Sequence, residues 1–290
     1  NISEALAGKL SGVHVTTSDG SPDAEVLIRV HGGGSITGSN TPLYIVDGFP
    51  VSSINDISSN DIEDMTVLKD ASSTAIYGSR GANGVILVTT KRGQKDKKTQ
   101  VAFTAEYGKA KAAKLWNLAT GPDHAQILNE AWINDGKNPN LIPYRPESEG
   151  GLGTPDEQQT YDRQSAAFRT ATSHNLNVTV SGGNVKTSFF IGGEYTKQEA
   201  IVKTEDFSRY SFRFNLDHEI NNRVSISTSN LLSHTVRSLC RIANSPKGIL
   251  QASVHHATLL NPFNEDGSYA RYGIFDNIYA LILQKRRVSI

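Results

Sequence analysis

After residue 99 come long stretches in which apolar and polar residues alternate one by one, and this rhythm limits what the chain can fold into. In YSFRFNLDH, Tyr210, Phe212, Phe214 and Leu216 fall on one face, while Ser211, Arg213, Asn215 and Asp217 fall on the other. Strand side chains point to opposite faces with period two, so such a segment separates a greasy side from a wet one. A strand backed by a packed core has no use for a charged or amide group at nearly every second position. A strand between lipid and a water-filled lumen does. The pattern therefore predicts that Phe212, Phe214 and Leu216 face lipid and that Arg213, Asn215 and Asp217 face the lumen.

Strand candidates of this kind run over 99–112, 172–182, 186–197, 207–219 and 222–235. Their connections alternate long (113–171), short (GGNV), medium (198–206), short (Ile220 and Asn221) and long again after 236. Membrane barrels show this asymmetry, with tight turns on one side and long loops on the other, whereas a soluble sandwich places turns at even spacing. The first long connection predicts a helix over 122–134, with Pro122 as its first residue and Ile127, Leu128 and Ala131 on its apolar face. The stretch IPYRPESEGGLGTPDEQQ beyond it reads as exposed loop. A second helix is expected over 247–259.

Before residue 99 the rhythm differs. A short helix is expected over 3–10, capped by Ser3, followed by strands at 13–17, 25–31, 43–47, 63–68 and 85–90. A helix over 70–77 and the turn GSRGANG (78–84) precede the last of these. Gly78, Gly81 and Gly84 are each expected at positive φ, where a β-carbon would be opposed. Together these segments predict a small mixed α/β unit ahead of the alternating strands.

Composition removes several alternatives. Lys+Arg and Asp+Glu both number 29, so no charge bias points to nucleic acid. The lone Cys240 leaves no internal disulfide, and no Cys/His spacing resembles a zinc site. No apolar run reaches the length of a membrane helix, which leaves barrel strands untouched. HGGGS (31–35) lacks the nucleophile elbow an esterase would need, and reads as a glycine turn. GSRGANG precedes a strand instead of opening a helix, so the dinucleotide fingerprint fails. His255 and His256 are adjacent on a helix and cannot share a metal; both read as solvated or lumen-facing. KRGQKDKK (91–98) reads as a solvated linker. Asp61, Glu63, Asp64 and Asp70 find no partnered carboxylate or nucleophile, and the Asn177 sequon is disregarded. No catalytic set, metal site or cofactor is expected.

The segments ALAGKLSGVHV (5–15), PLYIVDGFPV (42–51) and DIEDMTVLKDASSTAIYGSRGANGVILVTTKRG (61–93) resemble the plug domain of TonB-dependent outer-membrane transporters, more narrowly the SusC/RagA group of Bacteroidetes. The likeness continues through HNLNVTVSGG (174–183) and NEDGSY (264–269). It implies an α+β plug over residues 1–95, then antiparallel transmembrane β-barrel strands over 99–290, part of a barrel of about 22 strands. Asp47, Gly48, Lys69, Asp70, Tyr77, Gly78, Arg80, Gly81 and Gly84 carry the plug motif and are its candidate structural or gating residues. The resemblance further implies outer-membrane import of a large nutrient, an oligosaccharide or a peptide. Its partners would be TonB, through a segment upstream of residue 1, and a SusD-like surface lipoprotein, with lipid around the wall. A surface receptor or signalling module of the same fold, without transport, is the alternative. With about five barrel strands and no closing aromatic-ended strand, the chain is expected to be an N-terminal portion or truncated product of such a protein.

Overall fold

The computed structural model describes residues 13–17, 22, 26–30, 41–55, 57–239, 248–283 and 286–289. The helix expected over 3–10 and the HGGGS turn lie outside the described residues. Strands β1 (Val13–Thr17) and β2 (Val26–Val30) form an antiparallel pair. A four-stranded mixed sheet follows, built from β3 (Leu43–Val46), β4 (Phe49–Val51), β5 (Ile62–Leu68) and β6 (Val85–Thr90) in the order β4-β3-β6-β5. The central strand VILVTT is almost continuously apolar, as a strand covered on both faces must be, and it runs parallel to β3. β4 contains Pro50, which is why it sits at the edge, where a missing N–H costs no ladder bond.

Asp47 (φ 49°) and Gly48 (φ 90°) both adopt left-handed conformations between β3 and β4, the geometry of the tight hairpin turn that Asp-Gly favours. The expected helix after β5 is shorter than read: α1 covers Ala71–Thr74 and passes into a 3-10 segment, Ala75–Gly81. The core of this unit is Ile28, Tyr44, Ile54, Ile57, Ile86 and Val88.

The alternating strands form one antiparallel sheet: β7 (Gln100–Ala110), β8 (Ala171–Gly183), β9 (Thr187–Glu199), β10 (Asp206–Asn221) and β11 (Val224–Leu239), in chain order. A short β12 (Arg286–Ser289), which the sequence did not suggest, pairs with β11. The last tight turn lies at Asn222 and Arg223, two residues beyond the expected position, because Asn221 pairs directly with Val224.

The long connections are folded. α2 (Gly121–Asn134) is capped by Thr120 and Asp123 reciprocally, and Pro122 is its second residue, not its first. Its buried side chains are Ala125 and Asn129, while Ile127 and Leu128 are exposed, the reverse of the expected face. Asn129 accounts for the rotation: its amide donates to the Tyr144 carbonyl and accepts from the Tyr144 N–H, both at 2.8 Å. Further short helices, α3 (Arg163–Ala167), α4 (Ile249–His255) and α5 (Ile278–Leu283), enclose a second core of Ala167, Ile249, Ala252, Ile278 and Leu281. His256 caps α4 and is buried, not solvated, and His255 stacks on Phe275. Among the described residues no helix is long and apolar enough to cross a membrane, and no three potential ligands group for a metal.

Candidate functional site

The two units meet face to face, and the contact is polar. Along β10, Arg209, Ser211, Arg213 and Asn215 are buried, while Tyr210 and Phe212 between them are exposed. The expected split of faces is present, with one correction. The polar face does not line open water; the small mixed unit lies against it.

Three elements of that unit supply the opposing groups. The β3–β4 turn delivers Asp47, the 3-10 turn Ser59–Asp61 delivers Asp61, and the end of β6 delivers Thr90. The wall's Arg213, 2% exposed in its side chain, reaches both carboxylates: its Nε donates to Asp61 Oδ2 at 3.3 Å, and its Nη1 lies 3.9 Å from Asp47 Oδ2. Asp47 is held by more than charge. The Thr90 N–H and hydroxyl donate to it at 2.9 and 2.6 Å, and the Ser229 hydroxyl of β11 donates at 3.1 Å. Asn215 completes the seam by donating to the Lys91 carbonyl at 2.8 Å, and its Oδ1, 2.9 Å from the same Ser229 hydroxyl, shares that single proton with Asp47.

The two carboxylates differ electrostatically. Burial is the largest influence on Asp47 and opposes its ionisation. The Thr90 and Ser229 hydrogen bonds and the Arg92 charge together outweigh it, so its pKa lies below the ordinary 3.8. For Asp61 burial wins over the pull of Arg213, helped by repulsion from Glu194, and the pKa is raised. Among the described residues, Asp61 Oδ1 and Arg213 Nη2 are buried with no hydrogen-bond partner. Above them Arg209 lies 3.7 Å from Glu194 and donates to the Asn55 carbonyl.

Room for this seam is made by Gly192 on β9, where a β-carbon would stand 3.2 Å from Asp61 Oδ1. The apolar core crosses the same boundary, because Leu231 of β11 packs against the Ile28/Ile86 cluster. The basic run 91–98 is not a free linker. Arg92 pairs with Asp217 at 3.0 Å, Lys95 pairs with Glu219, and a β-carbon on Gly93 would strike the Phe189 backbone.

Of the motif residues, the structure brings Asp47 and Gly48 to the seam. Lys69, Asp70, Tyr77, Gly78, Arg80, Gly81 and Gly84 lie on the segment from the end of β5 to the start of β6, and the hydrogen bonds and ion pairs described above do not include them. There, the Asp70 carbonyl accepts from the Ser73 and Thr74 backbone and hydroxyl groups, while Lys69 and Arg80 are exposed. Gly78 (φ 59°) and Gly84 (φ 91°) have the expected left-handed backbone. Gly81 does not; its requirement is space, since a β-carbon would lie 3.0 Å from the Thr74 carbonyl oxygen. Sequence reading placed Arg213 and Asn215 on the lumen face without naming a partner, passed over Thr90 and Ser229, and left Asp61 unpartnered. The available signal was inward parity: each wall residue in the seam sits on the polar face of its strand.

This architecture has counterparts. The family model of the TonB-dependent receptor plug domain matches residues 1–85. TonB-dependent receptor P26 of Formosa agariphila is 36% identical over 92% of this chain and 26% of its own length. TonB-dependent receptor SusC of Bacteroides thetaiotaomicron is 34% identical over 74% of this chain and 21% of its own. The RagAB peptide importer in its closed-closed state superposes with a TM-score of 0.76 at 29% identity, covering 93% of this chain and 33% of that one. The chain belongs to the TonB-dependent receptor family. Within it the receptor sits on the SusC/RagA side, in the outer membrane, and its alternating strands are barrel strands. It spans about a quarter of the length of the curated relatives it matches.

Proposed function

We propose that this receptor imports a large nutrient through the outer membrane, with residues 1–95 as the plug and 99–290 as the first part of the wall. The observation that carries the reading is the seam itself. A plug joined to its wall by an apolar core would resist removal in proportion to its area. Here the centre of the contact is a buried ion cluster with incompletely satisfied atoms. For such clusters the desolvation of each ion offsets most of the Coulombic gain, so the contact fixes position more than it adds stability. A plug held this way is placed accurately and can still be displaced by a pull from the periplasmic side through TonB.

The folded extracellular connections, with their own core around α3, α4 and α5, supply a stable rim on which a SusD-like lipoprotein could close. The RagAB peptide importer supports a peptide as substrate, and the resemblance to the SusC/RagA group keeps an oligosaccharide beside it. The motif residues Lys69 to Gly84 are assigned to plug folding, and Asp47 to plug seating. No catalytic role is assigned. The test is uptake of a panel of labelled oligosaccharides and peptides by cells carrying or lacking the full-length receptor, with and without an inner-membrane uncoupler. Receptor-dependent uptake abolished by the uncoupler is expected. Binding at the surface with no energised uptake would overturn import in favour of the receptor-only alternative.

A further inference from the structure

The outward face of the barrel sheet carries a depression. Following the pairing register, Phe103, Val178, Gly193, Phe212 and Leu232 lie side by side across β7 to β11, an apolar row broken by a glycine. Gly193 leaves a groove of about 580 Å³, whose apolar lining comes from Leu176, Val178, Tyr210, Phe212 and Leu232. That volume is within the range of small-molecule pockets. The neighbouring glycine has an inward duty, since Gly192 clears space for Asp61, but nothing lies within 4 Å of a β-carbon built on Gly193. The inner packing therefore gives no reason for its missing side chain.

Toward the end of the sheet that carries the long connections, the face changes character. The next row holds Ala105, Leu176, Tyr195, Tyr210 and His234, and the one beyond holds Tyr107, His174 and Lys197, with Lys109 above Tyr107. Tyr195 and Tyr210 pack with ring centroids 4.8 Å apart, as do Tyr107 and His174 at 5.0 Å. Aromatic rings mark the level of lipid headgroups in membrane barrels. The nearby carboxylates are already engaged: Glu199 accepts from the Thr172 N–H and hydroxyl, and Asp206 pairs with Arg169. Lys109 and Lys197 make no salt bridge among the described residues, and both are exposed. Lys197 is four residues from Gly193 on the same face, about 14 Å along the strand.

We propose that this groove is a lipid site: an acyl chain lies across Gly193, and the phosphate of its headgroup sits at Lys197 and Lys109 in the outer leaflet. Any lipid can wet an apolar wall. A depression below two cations that make no salt bridge among the described residues selects a phosphate-bearing one, and holds it longer than its neighbours.

The test uses the full-length receptor in mild detergent, titrated with phosphatidylglycerol or with neutral diacylglycerol and read by native mass spectrometry. The wild type is expected to retain one phosphatidylglycerol at least tenfold more tightly than diacylglycerol. Gly193→Leu fills the groove from a position whose β-carbon meets nothing within 4 Å, and is expected to lose both. The pair Lys109→Gln and Lys197→Gln is expected to equalise the two lipids. Unchanged phosphatidylglycerol binding by Gly193→Leu would overturn the proposal, and a preference surviving in the lysine pair would overturn its headgroup half. A Gly193→Leu effect on oligomeric state with lipid binding intact would assign the groove to a second copy, and so overturn it too.

Discussion

Replacing Arg213 by Met removes a cation that approaches both Asp47 and Asp61. At an effective dielectric near 20, a charge pair at 3.3 Å is worth about 5 kcal/mol and one at 3.9 Å about 4 kcal/mol, before the several kcal/mol that each ion loses on leaving water. The raised pKa of Asp61 says that for this carboxylate burial already exceeds the gain. The intact cluster thus contributes little net stability, yet deleting its cation strands Asp61 in a buried site, at a cost of about 3–5 kcal/mol. Hydrogen exchange of the β3 and β6 amides in the full-length receptor would read this as a rise of roughly two to three and a half powers of ten in plug opening. Acid should rescue the variant. With Arg213 gone the pKa of Asp61 rises further, and a raised carboxylate regains docking stability as pH falls through that value. Adding Asp61→Leu should return protection to within about 1 kcal/mol of the wild type, because an apolar pair can replace a buried ionic one. Exchange unchanged in Arg213→Met, or no recovery in the double variant, would refute the reasoning.

In the wild type, Asp61 makes docking strengthen as pH falls through its raised pKa. Asp47, whose pKa is lowered, makes it weaken below about pH 3.8, and Asp61→Asn should flatten the first limb in a pH series of plug proteolysis. Gly78→Ala should cost about 1 kcal/mol in thermal unfolding of the plug. Gly84→Ala should cost more, because its β-carbon also meets Val30 at 2.9 Å; equal costs would contradict the close approach. Spin labels at Phe212 and Ser211 should report lipid and a buried lumen respectively, and equal accessibility to an aqueous relaxant would contradict the assignment of faces.

The strands were legible because alternation is a property of each segment alone. Five of the six wall strands and the Asp47-Gly48 turn could be read from local residues. The seam could not, since Arg213 and Asp61 are 152 residues apart and meet only through topology. The face of α2 was misread for a related reason: periodicity chose Ile127 and Leu128, but a pair of hydrogen bonds from Asn129 to Tyr144 decides which side is buried. β4 and β12 are too short for a period to register, and each exists only because a neighbouring strand offers an edge. The requirement at Gly81 is steric, imposed by Thr74 and Tyr77, and sequence alone cannot separate it from a φ requirement.

The central claim, that the plug is seated on the wall by this seam and must leave it for transport, has one direct test. Thr90 and Asn215, whose side chains approach to 3.3 Å, are replaced by cysteines in the full-length receptor and bridged by a short bis-methanethiosulfonate that dithiothreitol removes. Energised substrate uptake is then measured before bridging, after bridging and after reduction. Uptake lost on bridging and restored by reduction is the predicted result, with surface binding of substrate unchanged throughout. Uptake that continues at the wild-type rate through a bridged plug would contradict the account.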